Sequence, residues 1–570
     1  MIGSTGPAAS VSRSRSLRPG RKHSGFLNCF LLFAGVAVVL FLLNSRVVNV
    51  FDEGILLTGT MRTMAGNVLH RDFYYNYGPA QLYLLAALFK LFGESVLVER
   101  LAETVSAACL VVSMFVLARR FCSRAVSIGA VGLCLLWVIG ETMMQSLMNP
   151  ALCTLTLWTA WLILPVGNPS RQRRRSFAAG LLAAAMFLFR YDMGLGLVAA
   201  NLTAAWLMLW MREGGLRRGL RSLLSTMLWP YLVGFAIPVF PAAVAYLSVA
   251  PLHALLYDVV IYNAKYYRIG RGLPLPRLQL GDKFEDLVVY ALPILIALGL
   301  WMGITRSFRR NEETKSYSVT LPDWLNMLTA LSIAAAVMYI KGTIRISAGQ
   351  MYGSTIPCIL IAAILFQRRA EMNRWLRGFF IAALILVFVT AAAAARLKVF
   401  SGRHLQPMVI NRILSPKRQP PTGQFRSWCT EDTPITRGFC FLLDDDHIQT
   451  VNYLDEHTRP GDYLFVGLAH NDRILISDNI TYFATQRMPA VHWTQFDPFL
   501  ENRADIQRQM IQELEHNRPP YVVLDSEFDK IFEPNGSSVS TGVHLLDNYI
   551  ADNYSTVEHY GEMTILKRKG

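Results

Sequence analysis

The sequence predicts an α-helical polytopic membrane protein of about eleven spans, N-terminus inside, followed by an extracytoplasmic α/β domain. Three observations lead there. Of 570 residues, 53% are hydrophobic and only 17% charged, and the mean hydropathy is +0.32, too apolar for an ordinary soluble chain. Apolar runs of roughly membrane-spanning length recur at 26–43, 95–118, 125–141, 149–165, 177–190, 194–211, 226–248, 286–303, 323–340, 351–367 and 378–395. After residue 395 the composition changes to that of a globular chain.

Residues 1–25 are rich in Ser and Arg and read as a disordered cytoplasmic tail. The run FLNCFLLFAGVAVVLFLL (26–43) has no A-x-A cleavage site and is long enough to span, so it reads as an uncleaved first helix. Lys/Arg asymmetry sets the orientation. With the N-terminus inside, the inside segments hold 24 Lys/Arg in 85 residues and the outside ones 11 in 108. The net charge of +15 is therefore a topology signal. Its clusters are short and lie between apolar runs, which argues against nucleic acid as a partner.

Two stretches need separate treatment. PAQLYLLAALFKLF (79–92) is about 14 residues long, and if it spanned, RRFCSR (119–124) would be outside. It reads as a helix on the outer interface, making 44–94 one outer loop. Residues 177–211 lie between RQRRR (171–175) and RRGLR (217–221), both inside, and are short for two full spans. Arg190 and Asp192 then fall at an outer turn or re-entrant tip. In the C-terminal region, DYLFVG (462–467) and PYVVLD (520–525) read as buried strands, and 447–457 and 504–517 as amphipathic helices. The domains are thus 1–25, 26–395 and 396–570. Six of the eight cysteines lie in or beside apolar runs. Cys429 and Cys440 fall in polar sequence and could pair in an oxidising compartment. No zinc-type spacing occurs, no cofactor is expected, and a divalent metal is left open.

Chemistry-bearing residues gather at the outer ends. Asp52-Glu53 in NVFDEGILL (49–57) is either a solvated boundary mark or holds a general base at the membrane surface. HRDFYYNYGPAQLY (70–83) is either an aromatic belt or a shaped sugar-binding loop, with Arg71, Asp72, Tyr74 and Tyr77 as candidates. Arg190 and Asp192 join that substrate set. Lys265, Arg268, Lys341 and Arg345 are basic on the side where the charge rule expects few. Such residues suit a lipid phosphate at the outer headgroup layer, or ordinary headgroups, or ion pairs with Asp52, Glu53, Asp72 or Asp192.

The Asp-Glu pair after the first span, GNVLHRDFYYNYGP (66–79), LFG (91–93), ER (99–100) and ARRF (118–121) together resemble the GT-C membrane glycosyltransferases. The likeness is to bacterial relatives of protein O-mannosyltransferases and of the lipid A aminoarabinose transferase. By motif it covers the N-terminal third, and by topology the rest. The resemblance implies a hexosyl or pentosyl transferase of the bacterial inner membrane, with its site and C-terminal domain in the periplasm. Its donor would be a polyprenyl-phosphate sugar among membrane lipids. The acceptor would be an envelope glycolipid, a glycan or a protein, and transfer would be inverting. Asp52 and Glu53 would be the catalytic pair, with Asp52 as base, and basic residues would hold the lipid phosphate. Where the aminoarabinose branch carries a second Asp before a Pro, this chain has Asn149. Where that branch has a loop lysine, this chain has Gly78. Phosphate binding then falls to Arg71, Lys341 or Arg345. The competing readings are a transporter of polyprenyl-linked lipid or glycan, and a catalytically silent glycan-binding relative.

Overall fold

The computed structural model describes residues 21–140, 148–277, 284–314, 323–400, 433–435, 441 and 443–570. Each of the eleven apolar runs falls on a helix. The first helices are α1 (Arg21–Leu42), α2 (Asp52–Met64), α3 (Ala80–Phe92), α4 (Val96–Phe121), α5 (Arg124–Gly140), α6 (Met148–Leu162), α7 (Pro169–Phe189) and α8 (Tyr191–Glu213). Helical runs Leu216–Leu247, Val288–Thr314, Asp323–Gly342, Tyr352–Gln367 and Arg374–Val399 follow. Among the described residues, seven helices are long and apolar enough to cross a membrane by length and composition. They are α4, α8, Leu216–Leu247, Phe284–Ser307, Asp323–Gly342, Gly349–Gln367 and Arg374–Leu397. The protein is a multi-pass membrane protein.

Two expectations change. The first helix starts at Arg21, inside the tail read as disordered; residues 1–20 are not among those described. The stretch read as short for two spans forms helices of 21 and 23 residues. The RQRRR cluster folds into α7 and lengthens it, with Asn168 Oδ1 accepting from Arg171 N–H at 3.1 Å to cap its start. The two helices meet at Arg190, whose backbone is extended (φ −155°, ψ 109°).

Close packing in the bundle uses missing side chains. α7 packs against Trp229–Leu247, and a Cβ on Gly180 would run into the Tyr231 carbonyl oxygen, as one on Gly234 would into that of Phe177. Without a hydrophobic drive between helices in lipid, such small-residue contacts supply the dispersion energy of association. The hydroxyl of Tyr231 also accepts from Asn201 Nδ2 at 3.1 Å. Helix α3 buries Leu82, Leu85 and Phe89 and exposes Tyr83, Leu84, Leu91 and Phe92. Gly78 ends the aromatic loop by donating its N–H to Phe189 O at 3.0 Å, and a Cβ there would meet the Leu188 carbonyl. Gly78→Ala must push the loop off the end of α7. About 1–3 kcal/mol of destabilisation is expected from such overpacking, read as a lower Tm in detergent; an unchanged Tm would show that the loop yields freely.

The C-terminal chain forms a five-stranded sheet of order β2-β1-β3-β5-β4. The strands are β1 (Tyr463–Leu468), β2 (Met488–Pro489), β3 (Tyr521–Asp525), β4 (Tyr554–Tyr560) and β5 (Met563–Arg568). β1 runs parallel to β2 and β3, with Val466 opposite Val523, while β5 is antiparallel to β3 and β4. Helices Asp445–His457 and Ala504–Asn517 match the two read from periodicity. Strands β2, β4 and β5 were not foreseen. β4 is an edge strand, YSTVEHY, exposed along most of its length, so no buried face patterns its sequence. Cys429 and Cys440 lie outside the described residues.

This sheet unit is docked on α2. Thr58 Oγ1 donates to Asn479 O at 2.7 Å, and Asn479 N–H donates to Val50 O at 2.9 Å. One hydrophobic cluster includes Leu56 and Leu57 of α2 with Leu464, Val466, Ile480 and Phe483. Residues far apart in sequence are thereby brought to Asp52.

Candidate active site

Asp52 opens α2. Asn49 Oδ1 accepts from the N–H groups of Phe51 and Asp52 at 3.0 and 2.9 Å, and Glu53 Oε2 accepts from Asn49 N–H at 2.9 Å. These bonds satisfy donors that a helix start leaves open. Successive helix residues point about 100° apart, so the two carboxylates part company. Glu53 is fully buried in an ion pair with Arg100, Oε1 to Nε at 2.8 Å and Oε2 to Nη2 at 2.8 Å. Asp52 is half-buried and forms no ion pair among the described residues. Glu53 therefore presents no face to an acceptor, and the expectation of a catalytic pair reduces to Asp52.

Charged groups from three other parts of the chain lie within electrostatic reach of Asp52. Burial pushes its carboxyl up to about 6, Arg271 and Arg345 pull it down, and Asp497 raises it. Both arginines are held by carboxylates of the C-terminal unit. Arg271 meets Asp497 Oδ1 through Nε at 3.2 Å and Nη2 at 2.9 Å. Arg345 grips Glu533 in a two-pronged pair, at 2.9 and 2.6 Å. On the other side, Arg190 Nε donates to Asp192 Oδ1 at 3.0 Å, and Lys341 Nζ lies 3.8 Å from Asp192 Oδ2. The Arg190 guanidinium sits over the Tyr77 ring, 4.9 Å from its centroid. Asp52, Tyr77, Arg190, Asp192, Lys341 and Arg345 thus come to one end of the bundle.

The other sequence candidates are placed elsewhere. Arg71 and Asp72 bond each other, Nε to Oδ1 at 2.8 Å, and shape the 68–72 turn, where Asp72 Oδ2 also accepts from Val68 N–H at 2.6 Å. Arg71 holds the Asp72 carboxyl below its ordinary range. Tyr74 is buried at 1% exposure, its ring between Trp493 and Tyr262 and its hydroxyl 3.4 Å from Asp497 Oδ2. Its side chain is enclosed and contacts the Asp497 carboxylate that also holds Arg271. Lys265 and Arg268 are exposed, with Lys265 against the Tyr266 ring at 5.1 Å. Arg271, three residues on from Arg268, is the buried one.

Arg271, Asp497 and Glu533 were not read from the sequence. Arg271 carried the available signal, being one more basic residue in a segment expected to have few. Asp497 and Glu533 sit in loops with no motif. A second buried link joins the first and second loops: His70 Nδ1 lies 2.7 Å from Asp258 Oδ2, both side chains almost fully enclosed. Among the described residues, one trio of metal-type ligands lies together, Asp472, His544 and Asp547, within the C-terminal unit.

The fold and site define a multi-pass membrane protein whose loops and sheet unit bring together a partly exposed, charge-rich cluster around one half-buried carboxylate that forms no ion pair among the described residues. Residues 76–244 match the dolichyl-phosphate-mannose-protein mannosyltransferase family. That match bears out the resemblance to GT-C glycosyltransferases over residues 76–244. Among solved structures, ArnT from Cupriavidus metallidurans bound to undecaprenyl phosphate is similar at 14% identity and TM-score 0.48, covering 96% of this chain and 98% of that one. Its apo form gives 15% identity and TM-score 0.48, covering 95% and 98%. An Archaeoglobus fulgidus oligosaccharyltransferase, solved with Zn and sulfate, gives 12% identity and TM-score 0.43, covering 88% of this chain and 68% of that one. No curated protein matches the chain.

Proposed function

We propose that this protein transfers a monosaccharide from a polyprenyl-phosphate donor to an acceptor at the outer membrane surface, with inversion and with Asp52 as the base. The observation that carries this reading is a half-buried carboxylate without an ion pair among the described residues, raised to about 6 and within electrostatic reach of Arg271 and Arg345. In the step, Asp52 takes the proton of the acceptor hydroxyl as its oxygen bonds to the anomeric carbon. The bond from that carbon to the phosphate oxygen breaks, and the electron pair leaves with the polyprenyl phosphate. Transfer of this kind passes through an oxocarbenium-like state, so a base on one face and a stabilised leaving group on the other are what it needs. Guanidinium groups fixed beside the phosphate stabilise its developing charge without reorganising.

The membrane domain is assigned to 26–395 and the sheet unit to a periplasmic domain, 396–570, in a bacterial inner membrane; the Lys/Arg asymmetry supports this orientation. The acceptor is an envelope glycolipid, glycan or protein. The reading is tested by sugar transfer in proteoliposomes supplied with a polyprenyl-phosphate sugar, and absence of transfer to every acceptor class would sink it. Arg345 is assigned to the donor phosphate. One charge-assisted hydrogen bond contributes about 1.5–3 kcal/mol. Arg345→Ala should therefore weaken binding of polyprenyl phosphate roughly 10- to 100-fold; an unaltered affinity removes Arg345 from the phosphate site.

A further inference from the structure

We propose that Asp497, carried on a strained turn of the C-terminal unit, is a positioning residue of the Asp52 site, fixing the Arg271 guanidinium beside that base. The inference rests on the reading of Asp52 as base and adds a second chain region to the machinery.

The turn is unusual in its backbone. Phe496 and Phe499 both have positive φ, 52° and 61°. Bulky residues rarely adopt this region, and holding one there costs on the order of 1–3 kcal/mol. The surroundings impose it. Glu501, with no exposed side-chain surface, accepts from the N–H of Phe496 at 2.9 Å and of Asp497 at 2.7 Å. Tyr262 donates its hydroxyl to Pro498 O at 3.0 Å, and Pro498 packs against Gly270.

What this constraint achieves is the placement of one carboxylate. Asp497 Oδ1 takes two donors of Arg271, while Oδ2 faces the Tyr74 hydroxyl at 3.4 Å. Arg271 is further held by the carbonyls of Leu475 and Phe496. Its guanidinium also lies over the ring of Phe51, 5.7 Å from the centroid and next in sequence to Asp52, so the C-terminal unit holds it at the start of α2. A planar fork fixed on three sides is preorganised, which a lone flexible arginine is not. Asp497 joins the RDFYYNYGP loop, the RIGRG segment and the sheet unit at one atom pair. This gives the C-terminal unit a part in the reaction.

The expected consequence is electrostatic as well as mechanical. The charged and titratable groups facing Asp52 are Arg271 from the second loop, Arg345 beyond the helix Asp323–Gly342, Asp497 from the sheet unit, and the Tyr77 hydroxyl from the first loop. Removing the Asp497 charge leaves Arg271 uncompensated, and both changes make Asp52 more acidic. Removing the Arg271 charge does the reverse.

The test is the pH profile of transfer by the full-length protein in proteoliposomes. Asp497→Asn should slow transfer 10-fold or more and move the acid limb to lower pH. Arg271→Gln should slow it and move the limb to higher pH. Shifts of opposite sign do not come from general loosening of the fold. A slowed Asp497→Asn variant with an unmoved limb would make Asp497 a structural pin and overturn the proposal, as would shifts of the same sign in both variants. If Asp497→Asn fails to fold, Arg271→Gln decides alone: an unmoved limb overturns the placement. Asp52→Asn separates the two readings. Retained transfer with an intact limb removes Asp52 as base, whereas lost transfer with an unmoved Asp497→Asn limb removes only Asp497.

Discussion

Asp52→Asn should lower sugar transfer about 10³-fold, within the range that a positioned general base contributes, while the protein stays folded and binds polyprenyl phosphate as tightly as before or more so. The fold should tolerate it because the Asp52 carboxylate forms no ion pair among the described residues, and its burial already disfavours the charged form. Binding should not suffer because a negative charge near Arg271 and Arg345 has been taken away. The same geometry sets the pH dependence. The base works deprotonated, and burial outweighs the arginines to bring the carboxyl to about 6. Transfer should be on its plateau above that value and fall tenfold per unit well below it. The acid limb should vanish from whatever residual activity Asp52→Asn keeps. Reconstituted vesicles assayed from pH 5 to 8 measure both. Unchanged transfer, or a limb near pH 4, would remove Asp52 from this role.

The bundle was legible because lipid imposes one rule on every span. Runs of apolar residues satisfy their backbone internally as helices, and all eleven do so. Strands β1 and β3 were legible for a related reason, being enclosed on both faces and continuously apolar. Half of the site could be found because Asp52, Arg190, Asp192, Lys341 and Arg345 stand out as charges at the ends of apolar runs. The other half depends on tertiary contacts that no local pattern carries. Asp497 lies 226 residues from Arg271, and Glu533 lies 188 from Arg345. Within the basic segment, Lys265 and Arg268 are exposed and Arg271 is buried, and the contact that encloses Arg271, its pair with Asp497, comes from the C-terminal unit and leaves no mark on the local pattern.

The neighbouring acid should behave in the opposite way. Arg100→Met should destabilise the protein by about 3–5 kcal/mol, because it leaves a buried charge without its partner. Arg100 and Glu53 have no exposed side-chain surface, and Arg100 also binds Asn44 Oδ1 at 3.0 Å and Val47 O at 3.3 Å. Its Nε lies 3.6 Å from Glu99 Oε2, so two carboxylates lean on one guanidinium. Glu53→Gln keeps the shape and two potential hydrogen bonds, and should cost less. In the double variant Glu53→Gln/Arg100→Met, part of the loss should be recovered, since only Glu99 of the two carboxylates is then left without the guanidinium. Thermal unfolding in detergent measures the cycle; strict additivity would show that the pair is not coupled. The functional meaning follows from where the pair sits. It clamps the first turn of α2 to the start of α4, and that turn determines where the adjacent Asp52 points. Glu53→Gln should then lower transfer only as far as α2 loosens, with the acid limb still near 6, whereas Asp52→Asn loses transfer with stability intact. Two adjacent acids that look alike in NVFDEGILL are divided by one helical step into a half-buried carboxylate, the proposed base, and a buried anchor.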